Sequence, residues 1–314
     1  MAGIKIIGLG KASGDVTVTN DDLAKIVDTS DSWIREKSGI RTRYFAREKS
    51  NADMAAEAAA MAVKHAGIAA EEIAVCIVCT FTPDDYTPAT ACSVCGRLGL
   101  PEEVLALDLN GACAGFIYGC HLANGLLALQ PEKYALIIGS EKISSFINME
   151  DRSTCVLFGD GAGAAVVKWD QAAEFIFHGG CVPDRQVLHC RRNSCIEMGG
   201  QEVYRFAVSK VPACIKTLLE KSGRSAGEID YFVCHQANER IIDAAARRIT
   251  PEQSEKEKFF KNLYHYGNTS AASIPIALCE MAQQGLLEKH SRLICTGFGA
   301  GLSYGGMYIT SEVK

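Results

Sequence analysis

The chain has 314 residues and contains no stretch of eighteen consecutive apolar residues, so we expect no membrane-spanning helix. It also lacks an excess of positive charge, because its net charge is −5, which gives no general reason to expect nucleic-acid binding. The first residues, MAGIKIIGLG, lack the basic and then apolar layout of a secretory signal and are typical of a strand. These absences predict a cytoplasmic protein that binds neither nucleic acid nor membrane.

Cysteine is abundant, with fourteen residues, but its settings argue against disulfides. Several cysteines lie inside Val- and Ile-rich strand patterns or among Ala, Leu and Ile in helix patterns. A free cysteine in such a setting behaves as a small core hydrophobe. The cysteines with these settings are Cys76, Cys79, Cys234 and Cys295 in strand patterns and Cys120, Cys214 and Cys279 in helix patterns. This usage predicts a reducing compartment.

Two C-x-x-C pairs raise the question of a metal. Cys76 and Cys79 lie on a predicted strand, where residues three apart face opposite sides of the sheet. Cys92 and Cys95 are predicted to be helical, and no second pair of ligands accompanies them. We therefore expect no metal in the functional site. The segment 178–195 leaves a zinc site open, since it contains His178, Cys181, His189, Cys190 and Cys195.

The most informative pattern is an internal repeat. AGIAAEEIAVCI at 66–77 resembles SGRSAGEIDYFV at 222–233, and each follows a helix pattern and leads into a buried strand. YALIIGSEKI at 134–143 resembles SRLICTGFGA at 291–300, again about 157 residues later. Short strands that alternate with helices favour mixed sheets covered by helices. We predict an α/β fold of two duplicated halves, residues 1–170 and 171–314, related by a pseudo-twofold axis.

Three polar residues interrupt this core pattern where a predicted strand or turn meets a helix. Cys113 in NGACAGF falls at a helix start, where the helix N-terminus lowers the pKa of a thiol. His235 ends a strand in VCHQANERII, with Asn238 as the N-cap of the next helix, and Asn268 follows Gly267 in a turn. Alone, each has an ordinary structural interpretation. The repeat instead predicts that a nucleophile from one half faces two polar groups from the other, in the crevice between the halves.

Four segments in this order, ACAGF, CHQANERII, YGNTSAAS and GFGAGLSYG, closely resemble the β-ketoacyl-acyl-carrier-protein synthase III family, the initiating condensing enzymes of bacterial fatty-acid synthesis. TSDSWIREKSGIRTR at 29–43 and DRSTCVLFGDGAGAAVV at 151–167 match the family too, so the resemblance spans the chain. The resemblance implies the thiolase fold, which has five αβαβα layers built from duplicated halves, and a homodimer.

The resemblance implies a decarboxylating Claisen condensation. Cys113 takes an acyl group from acyl-coenzyme A, and the backbone N–H groups of Cys113 and Ala300 stabilise the oxyanion. Malonyl-acyl carrier protein then loses carbon dioxide, and His235 and Asn268 donate hydrogen bonds to the resulting enolate. Acyl-coenzyme A is a substrate, so no cofactor is expected. Asn at 268, where elongating synthases have a second histidine, favours an initiating enzyme.

Binding residues follow from the same resemblance. Contacts to coenzyme A are assigned to Trp33, Lys37, Ser38, Arg152 and Gly200. Lys37 and Ser38 stand where Arg and Thr are common in the family, a change that keeps the charge but loses bidentate geometry. Thr87, where phenylalanine is frequent, is assigned to the acyl pocket and predicts primers larger than acetyl. The acyl-carrier surface is assigned to Gln236, Ala237, Asn238, Glu239, Arg240, Arg205, Arg247 and Arg248.

The same residues leave other interpretations open. Trp33 can be a half-exposed helix aromatic, and the arginines can be an ordinary solvated face. Two other functions also remain: a cysteine hydrolase, because Cys-His-Asn also occurs in papain-like enzymes, and a non-catalytic acyl-carrier-binding protein. The C-G-x-C-W context of the papain-like enzymes is absent, which disfavours the hydrolase.

Overall fold

The computed structural model describes residues 2–250 and 253–313. In this part of the chain, strands and helices alternate as the sequence predicts. The strands are β1 (Gly3–Ser13), β2 (Val16–Thr19), β3 (Thr42–Phe45), β4 (Ile73–Cys79), β5 (Leu105–Leu109), β6 (Tyr134–Glu141), β7 (Gly161–Asp170), β8 (Ile176–Asp184), β9 (Leu188–Cys190), β10 (Ile196–Met198), β11 (Tyr231–Cys234), β12 (Ser291–Gly299) and β13 (Gly301–Ser311).

The helices lie between these strands. They are α1 (Asn20–Ala24), α2 (Asp31–Ser38), α3 (Asn51–Ala66), α4 (Thr90–Leu98), α5 (Gly115–Leu127), α6 (Arg152–Cys155), α7 (Gly200–Ser222), α8 (Glu239–Ile249), α9 (Leu263–Tyr266) and α10 (Ser273–Gln283). Short 3₁₀ turns precede two of them, Ala112–Ala114 before α5 and Ser270–Ala272 before α10.

Local sequence sets the helix boundaries. The Ser50 side chain caps α3 and forms a reciprocal capping box with Asp53, and Gly67 ends the helix in the left-handed conformation. The predicted N-cap of α8 is confirmed, since Asn238 Oδ1 accepts from the Arg240 N–H at 2.9 Å. The same amide group donates from Nδ2 to the Lys37 carbonyl, which ties α8 to the end of α2.

The strand order repeats between the two halves of the main sheet. In the first half the order is β1–β7–β6–β4–β5, and in the second half it is β8–β13–β12–β11. The strand directions agree as well. In the first half, β1–β7 and β6–β7 are antiparallel and β4–β6 is parallel. In the second half, the corresponding pairs β8–β13 and β12–β13 are antiparallel and β11–β12 is parallel. A short parallel pairing of β1 with β13 at Lys5 and Ile6 joins the halves.

Helices cover these sheets in layers. The first half packs α3 and α4 on one face, around a core cluster that includes Met54 and Val94. The second half packs α7 and α8 on the opposite outer face, around a cluster that includes Ile215. Between the two halves of the main sheet lie α5 and α10, whose Ile117 and Ile274 belong to one core that draws on both halves. This arrangement is the predicted five-layer αβαβα fold.

The division of the chain at residue 170 stays a prediction, although it falls between the end of β7 and the start of β8. Within the residues described, no helix combines the length and the apolar character needed to span a bilayer. The first C-x-x-C pair lies on β4 and the second on α4, as the sequence predicts.

Candidate active site

Cys113 lies in the 3₁₀ turn that connects β5 to the middle helix α5. The residue before it, Ala112, has a φ of 46°, in the left-handed region that a non-glycine residue rarely adopts. Ser270 opens the matching turn before α10 in the other half, with a φ of 49°. The two middle helices therefore begin in the same unusual way, and such backbone conformations cluster at functional sites.

The end of β12 passes directly beside Cys113. A Cβ atom added to Gly299 would lie 2.7 Å from the Cys113 backbone nitrogen and 3.2 Å from its Cβ, so only glycine fits. Ala300 follows at once and lines the same cavity as Cys113. The backbone at Gly299 and Ala300, in the second half of the chain, therefore lies close to Cys113 in the first half. An oxyanion hole requires backbone N–H groups this close to the nucleophile.

His235 follows β11 and is held on two sides. Its backbone N–H donates to the Thr296 carbonyl at 2.7 Å, and its Nδ1 lies 2.6 Å from Ser273 Oγ. That hydroxyl also accepts from the Gln236 N–H, so the Nδ1 side of the ring is held in place and Nε2 is left for a ligand. Burial lowers the pKa of His235 to about 3. His235 is therefore neutral, and its Nε2 donates to a ligand in the tautomer that carries the proton there.

Asn268 is fixed by the backbone of the segment after α6. Its N–H donates to the Leu157 carbonyl at 2.8 Å, and its carbonyl accepts from the Gly159 N–H at 3.1 Å. The side-chain Oδ1 accepts from the Ser270 N–H at 2.9 Å, which leaves Nδ2 as the donor for a ligand. Gly267, with a φ of 65°, allows this turn, because a Cβ there would lie 2.8 Å from the Leu157 carbonyl oxygen.

One cavity of about 690 Å³ contains Cys113, His235 and Asn268 together. Phe298 forms part of its wall and meets the His235 ring edge to face at 5.4 Å. The cavity extends outward to the residues predicted to bind coenzyme A, all of which line it: Trp33, Lys37, Ser38, Arg152 and Gly200. A tunnel from the surface to three polar groups is the expected shape of a site for a long thioester substrate.

At the outer end of the cavity, the Arg152 guanidinium lies over the Trp33 ring at 4.9 Å from its centroid. Arg152 also donates to the Asp28 carbonyl at 2.8 Å. The Ser38 hydroxyl is buried and donates its proton to the Ile34 carbonyl of α2. Thr87, predicted for the acyl pocket, is exposed and does not line the cavity within the single chain.

The predicted lowering of the Cys113 pKa is wrong for the unliganded protein. Cys113 is partly accessible from the cavity, yet desolvation by the surrounding protein raises the pKa of its thiol to about 12, while the nearby Ser270 hydroxyl acts in the opposite direction. The negative charge of Glu141 raises the pKa further. The helix start alone does not make Cys113 a thiolate, because the cost of burying a charge outweighs it.

The predicted carrier surface needs one correction. Gln236 is 1% exposed, and its amide donates to the carbonyls of Cys234 and Phe260 and accepts from the Asn262 N–H, so its side chain cannot contact a partner. Glu239 is half-buried and accepts from Lys261. The exposed members of the predicted surface are Arg205, Arg240, Arg247 and Arg248.

The histidines and cysteines of segment 178–195, for which the sequence left a zinc site open, do not form a metal site among the described residues. His178 and Cys181 lie on β8, whereas His189 and Cys190 lie on β9. Over residues 2–250 and 253–313, no three His, Cys, Asp or Glu side chains form a group that could hold a metal ion.

Sequence reasoning missed Glu141, the last residue of β6, which is fully buried behind Cys113. A signal was present in the sequence, since a charged residue closes an otherwise apolar strand, YALIIGSE, and two threonines, Thr80 and Thr82, follow the neighbouring strand β4. The carboxyl ends of parallel strands meet at one edge, so these polar groups gather there.

Comparison with known proteins agrees with this geometry. The family model for the C-terminal part of 3-oxoacyl-[acyl-carrier-protein] synthase III matches residues 219–311, and the model for 3-oxoacyl-[acyl-carrier-protein] synthase III matches residues 107–179. A β-ketoacyl-[acyl-carrier-protein] synthase III of Clostridium botulinum is 43% identical and aligns over 100% of both chains.

Solved structures show the same fold. The crystal structure of 3-oxoacyl-[acyl-carrier-protein] synthase III from Aquifex aeolicus matches with a TM-score of 0.93 at 40% identity, covering 98% of this chain and 100% of that one. A priming β-ketosynthase from the R1128 polyketide pathway also gives a TM-score of 0.93, at 29% identity, covering 99% of this chain and 97% of that one.

The layered fold and the shared cavity define a condensing enzyme of the thiolase class, an acyltransferase. Among these enzymes, the chain belongs to the 3-oxoacyl-[acyl-carrier-protein] synthase III family. Its reaction is the condensation of an acyl-coenzyme A with malonyl-acyl carrier protein at the start of fatty-acid synthesis. The hydrolase and the non-catalytic alternatives are thereby set aside.

The contact between Gly299 and Cys113 makes a first prediction. Gly299→Ala places a methyl group 2.7 Å from the Cys113 nitrogen, so the turn must shift, and we expect acylation by acyl-coenzyme A to slow about 10²-fold. Gly125→Ala is the matched control, because a Cβ there meets nothing within 4 Å. Single-turnover acylation with circular dichroism as a folding check measures both. Wild-type rates in Gly299→Ala would refute the constraint.

Proposed function

We propose that the condensation proceeds through an acyl-Cys113 intermediate, with His235 and Asn268 serving the malonyl half-reaction. The observation that carries the proposal is that these three side chains, which come from both halves of the chain, line one cavity. Cys113 attacks the thioester carbonyl, and the backbone N–H groups of Cys113 and Ala300 stabilise the oxyanion. Each such donor is worth about 2.7–4 kcal/mol in comparable sites.

The second half-reaction needs no base at carbon. Loss of carbon dioxide from the malonyl thioester leaves an enolate, whose oxygen accepts hydrogen bonds from His235 Nε2 and Asn268 Nδ2. The neutral state of His235 supports this role, because a neutral imidazole whose Nδ1 accepts from the Ser273 hydroxyl donates from Nε2. The enolate carbon then attacks the acyl-Cys113 carbonyl. Acyl-coenzyme A is consumed as a substrate, so the proposed reaction involves no cofactor.

The two half-reactions should separate by mutation. His235→Ala and Asn268→Ala each remove one enolate donor, so we expect malonyl decarboxylation to fall on the order of 10²-fold or more. Acylation of Cys113 should continue at an appreciable rate, since neither donor contacts the thioester in that step. Release of labelled carbon dioxide and mass spectrometry of the Cys113 peptide measure the two steps. Decarboxylation at the wild-type rate in both variants would contradict the assigned roles.

The two substrates are proposed to dock on different parts of the cavity mouth. Trp33 and Arg152 supply a stacking surface and a charge for the nucleotide end of coenzyme A. Arg205, Arg247 and Arg248 lie exposed on α7 and α8 and suit an acidic carrier protein. Arg240 lies between the two regions, because it is exposed on α8 and also lines the cavity.

Variants on the carrier side and on the coenzyme A side test this division. Arg247→Glu and Arg240→Glu should raise KM for malonyl-acyl carrier protein severalfold, and Arg247→Glu should leave acylation by acyl-coenzyme A unchanged. Trp33→Ala should slow acylation by acyl-coenzyme A and leave KM for malonyl-acyl carrier protein unchanged. Lys289→Glu is the charge-matched control, since it precedes the start of β12, away from the Gly299 end that reaches the cavity. If Arg247→Glu and Trp33→Ala affect both substrates equally, the division is wrong.

A homodimer is proposed from the exposed edge of the sheet. β5 lies at the outer edge of the first half of the main sheet, and among the described residues no strand pairs with its other side. Its sequence, LALDL, is mostly apolar, and Leu105 is 46% exposed. An apolar edge strand of this kind favours pairing with another chain. Thr87 lies close to this edge, because Asp108 of β5 accepts from the N–H groups at the start of α4. From here Thr87 can line the acyl pocket of a partner chain.

The proposed dimer predicts that sedimentation equilibrium gives twice the chain mass.

The proposed pocket predicts that specificity constants favour isobutyryl- or hexanoyl-coenzyme A over acetyl-coenzyme A. Each buried methylene is worth about 0.8 kcal/mol, or roughly fourfold. Thr87→Phe should restore a preference for acetyl, whereas the isosteric Thr87→Val should not. A strict acetyl preference that Thr87→Phe leaves unchanged would remove Thr87 from the pocket.

The fourteen cysteines are all free, which supports a reducing compartment and hence the cytoplasm. Fractionation of the source cells checks this location, and recovery with an exported fraction would contradict it.

A further inference from the structure

Glu141 is a buried carboxyl group for which the mechanism so far has no use. It is 0% exposed at the end of β6, and every hydrogen bond it accepts falls on one oxygen. Oε2 accepts from the Thr82 hydroxyl at 2.6 Å, from the Thr80 hydroxyl at 3.1 Å and from the Phe81 N–H at 3.2 Å. The other oxygen, Oε1, is buried with no hydrogen-bond partner. A carboxyl group held in this way has one oxygen ready to take a proton.

Ser270 connects this carboxyl group to the cavity. Its hydroxyl is buried and forms no hydrogen bond in the unliganded protein, like Glu141 Oε1. The turn that carries Ser270 packs against both β6 and the turn of Cys113, and the hydroxyl lowers the pKa of both Cys113 and Glu141. The residue is 1% exposed and lines the cavity, and its φ of 49° holds it in the left-handed region. A hydroxyl can accept one proton while it donates another. Ser270 therefore has the position and the chemistry of a relay.

The acylation step requires such a path. The Cys113 thiol must lose its proton to attack, and its pKa is raised to about 12. His235 is a poor acceptor, because burial lowers its pKa to about 3 and its Nδ1 is already hydrogen-bonded to Ser273 Oγ. Asn268 has no basic atom. Of the groups described around the thiol, the carboxylate behind Ser270 is the one that can hold the proton.

We infer that Glu141 accepts the Cys113 proton through Ser270 during acylation and returns it to the departing coenzyme A. As Cys113 Sγ bonds to the thioester carbon, its proton passes to Ser270 Oγ, and the Ser270 proton passes to Glu141 Oε1. When the tetrahedral adduct collapses, the bond between carbon and the coenzyme A sulfur breaks and the electron pair leaves on that sulfur. The proton then returns from Glu141 through Ser270, which yields the neutral thiol and restores the carboxylate.

The charges around Glu141 fit this exchange. Burial raises the pKa of Glu141 to about 7, against the opposing hydrogen bonds from Thr82, Phe81 and Thr80 and the opposing effect of the nearby Ser270 hydroxyl. The titratable groups that feel its charge are the thiols of Cys113 and Cys79, and the pKa of each is raised by it. The neighbouring Lys142 is directed away, because its Nζ donates to the Lys49 carbonyl. One proton shared between Glu141 and Cys113 is thus favoured over two charges.

The inference rests on the proposed acyl-Cys113 chemistry and is tested on that step alone. Single-turnover acylation of wild-type protein should quicken as pH rises through about 7, where Glu141 loses its proton. Glu141→Gln keeps the shape but cannot accept a proton, so we expect acylation to slow at least 10²-fold and this rise with pH to disappear. Ser270→Ala should slow acylation as well, and the double variant should be no slower than the slower single variant.

Asp160→Asn is the matched control, because Asp160 is also 0% exposed and has a raised pKa, but its carboxylate accepts from Ala46 and Ser144. This variant should keep the wild-type acylation rate and pH profile. Glu141→Gln that acylates at the wild-type rate with an unchanged profile would overturn the inference, as would additive effects of Glu141→Gln and Ser270→Ala. Absence of acyl-Cys113 in the wild-type protein would instead refute the proposed function.

Discussion

The whole site depends on the close packing of two turns at the centre of the molecule. The turn before α10 is pressed against β6, so that a Cβ on Gly139 would lie 2.2 Å from the Ala271 carbonyl oxygen. The turn before α5 is pressed against β12 in the same way at Gly299. Each half thus supplies the surface against which the other half's turn is fixed. The fixed groups are Cys113 on one turn and Ser270 on the other, beside Asn268.

This packing has an electrostatic result that neither half would give alone. Enclosure by protein raises the pKa of the Cys113 thiol, and the same enclosure keeps His235 neutral. Papain-like hydrolases instead pair a thiolate with an imidazolium. Here both groups are uncharged, which suits the proposed hydrogen bond to an enolate and disfavours the activation of water.

Much of the architecture could be predicted from the sequence, because it depends on local patterns. The repeat at about 157 residues predicted the duplicated strand order, and Asn238 was predicted as a cap from its position before an amphipathic helix. The residues that meet in the cavity were placed by the repeat together with family motifs. Both kinds of signal are local in the sequence, since they concern which residues follow a strand or begin a helix.

Other properties could not be predicted, because they are set by what surrounds a group in space. The helix start before α5 suggested a lowered pKa for Cys113, but the degree of enclosure decides the sign, and it is a tertiary property. Gln236 lies in a polar turn, yet it is buried, with its amide bonded to the carbonyls of Cys234 and Phe260. Glu141 was marked by its charge at the end of an apolar strand, but its neighbour Ser270 lies in the other half of the chain, so their proximity is a tertiary property.

The stacking of Arg152 on Trp33 has a thermodynamic consequence for ligand entry. With the guanidinium 4.9 Å from the ring centroid, no planar group can lie between them, because a flat ring needs about 3.5 Å of separation on each face. A purine that stacks on this face of the indole, as proposed for coenzyme A, therefore displaces the arginine and exchanges one stacking partner of the indole for another. The free energy measured for nucleotide binding is the difference between two stacked states, and Arg152→Ala would change the unliganded state as well as the complex.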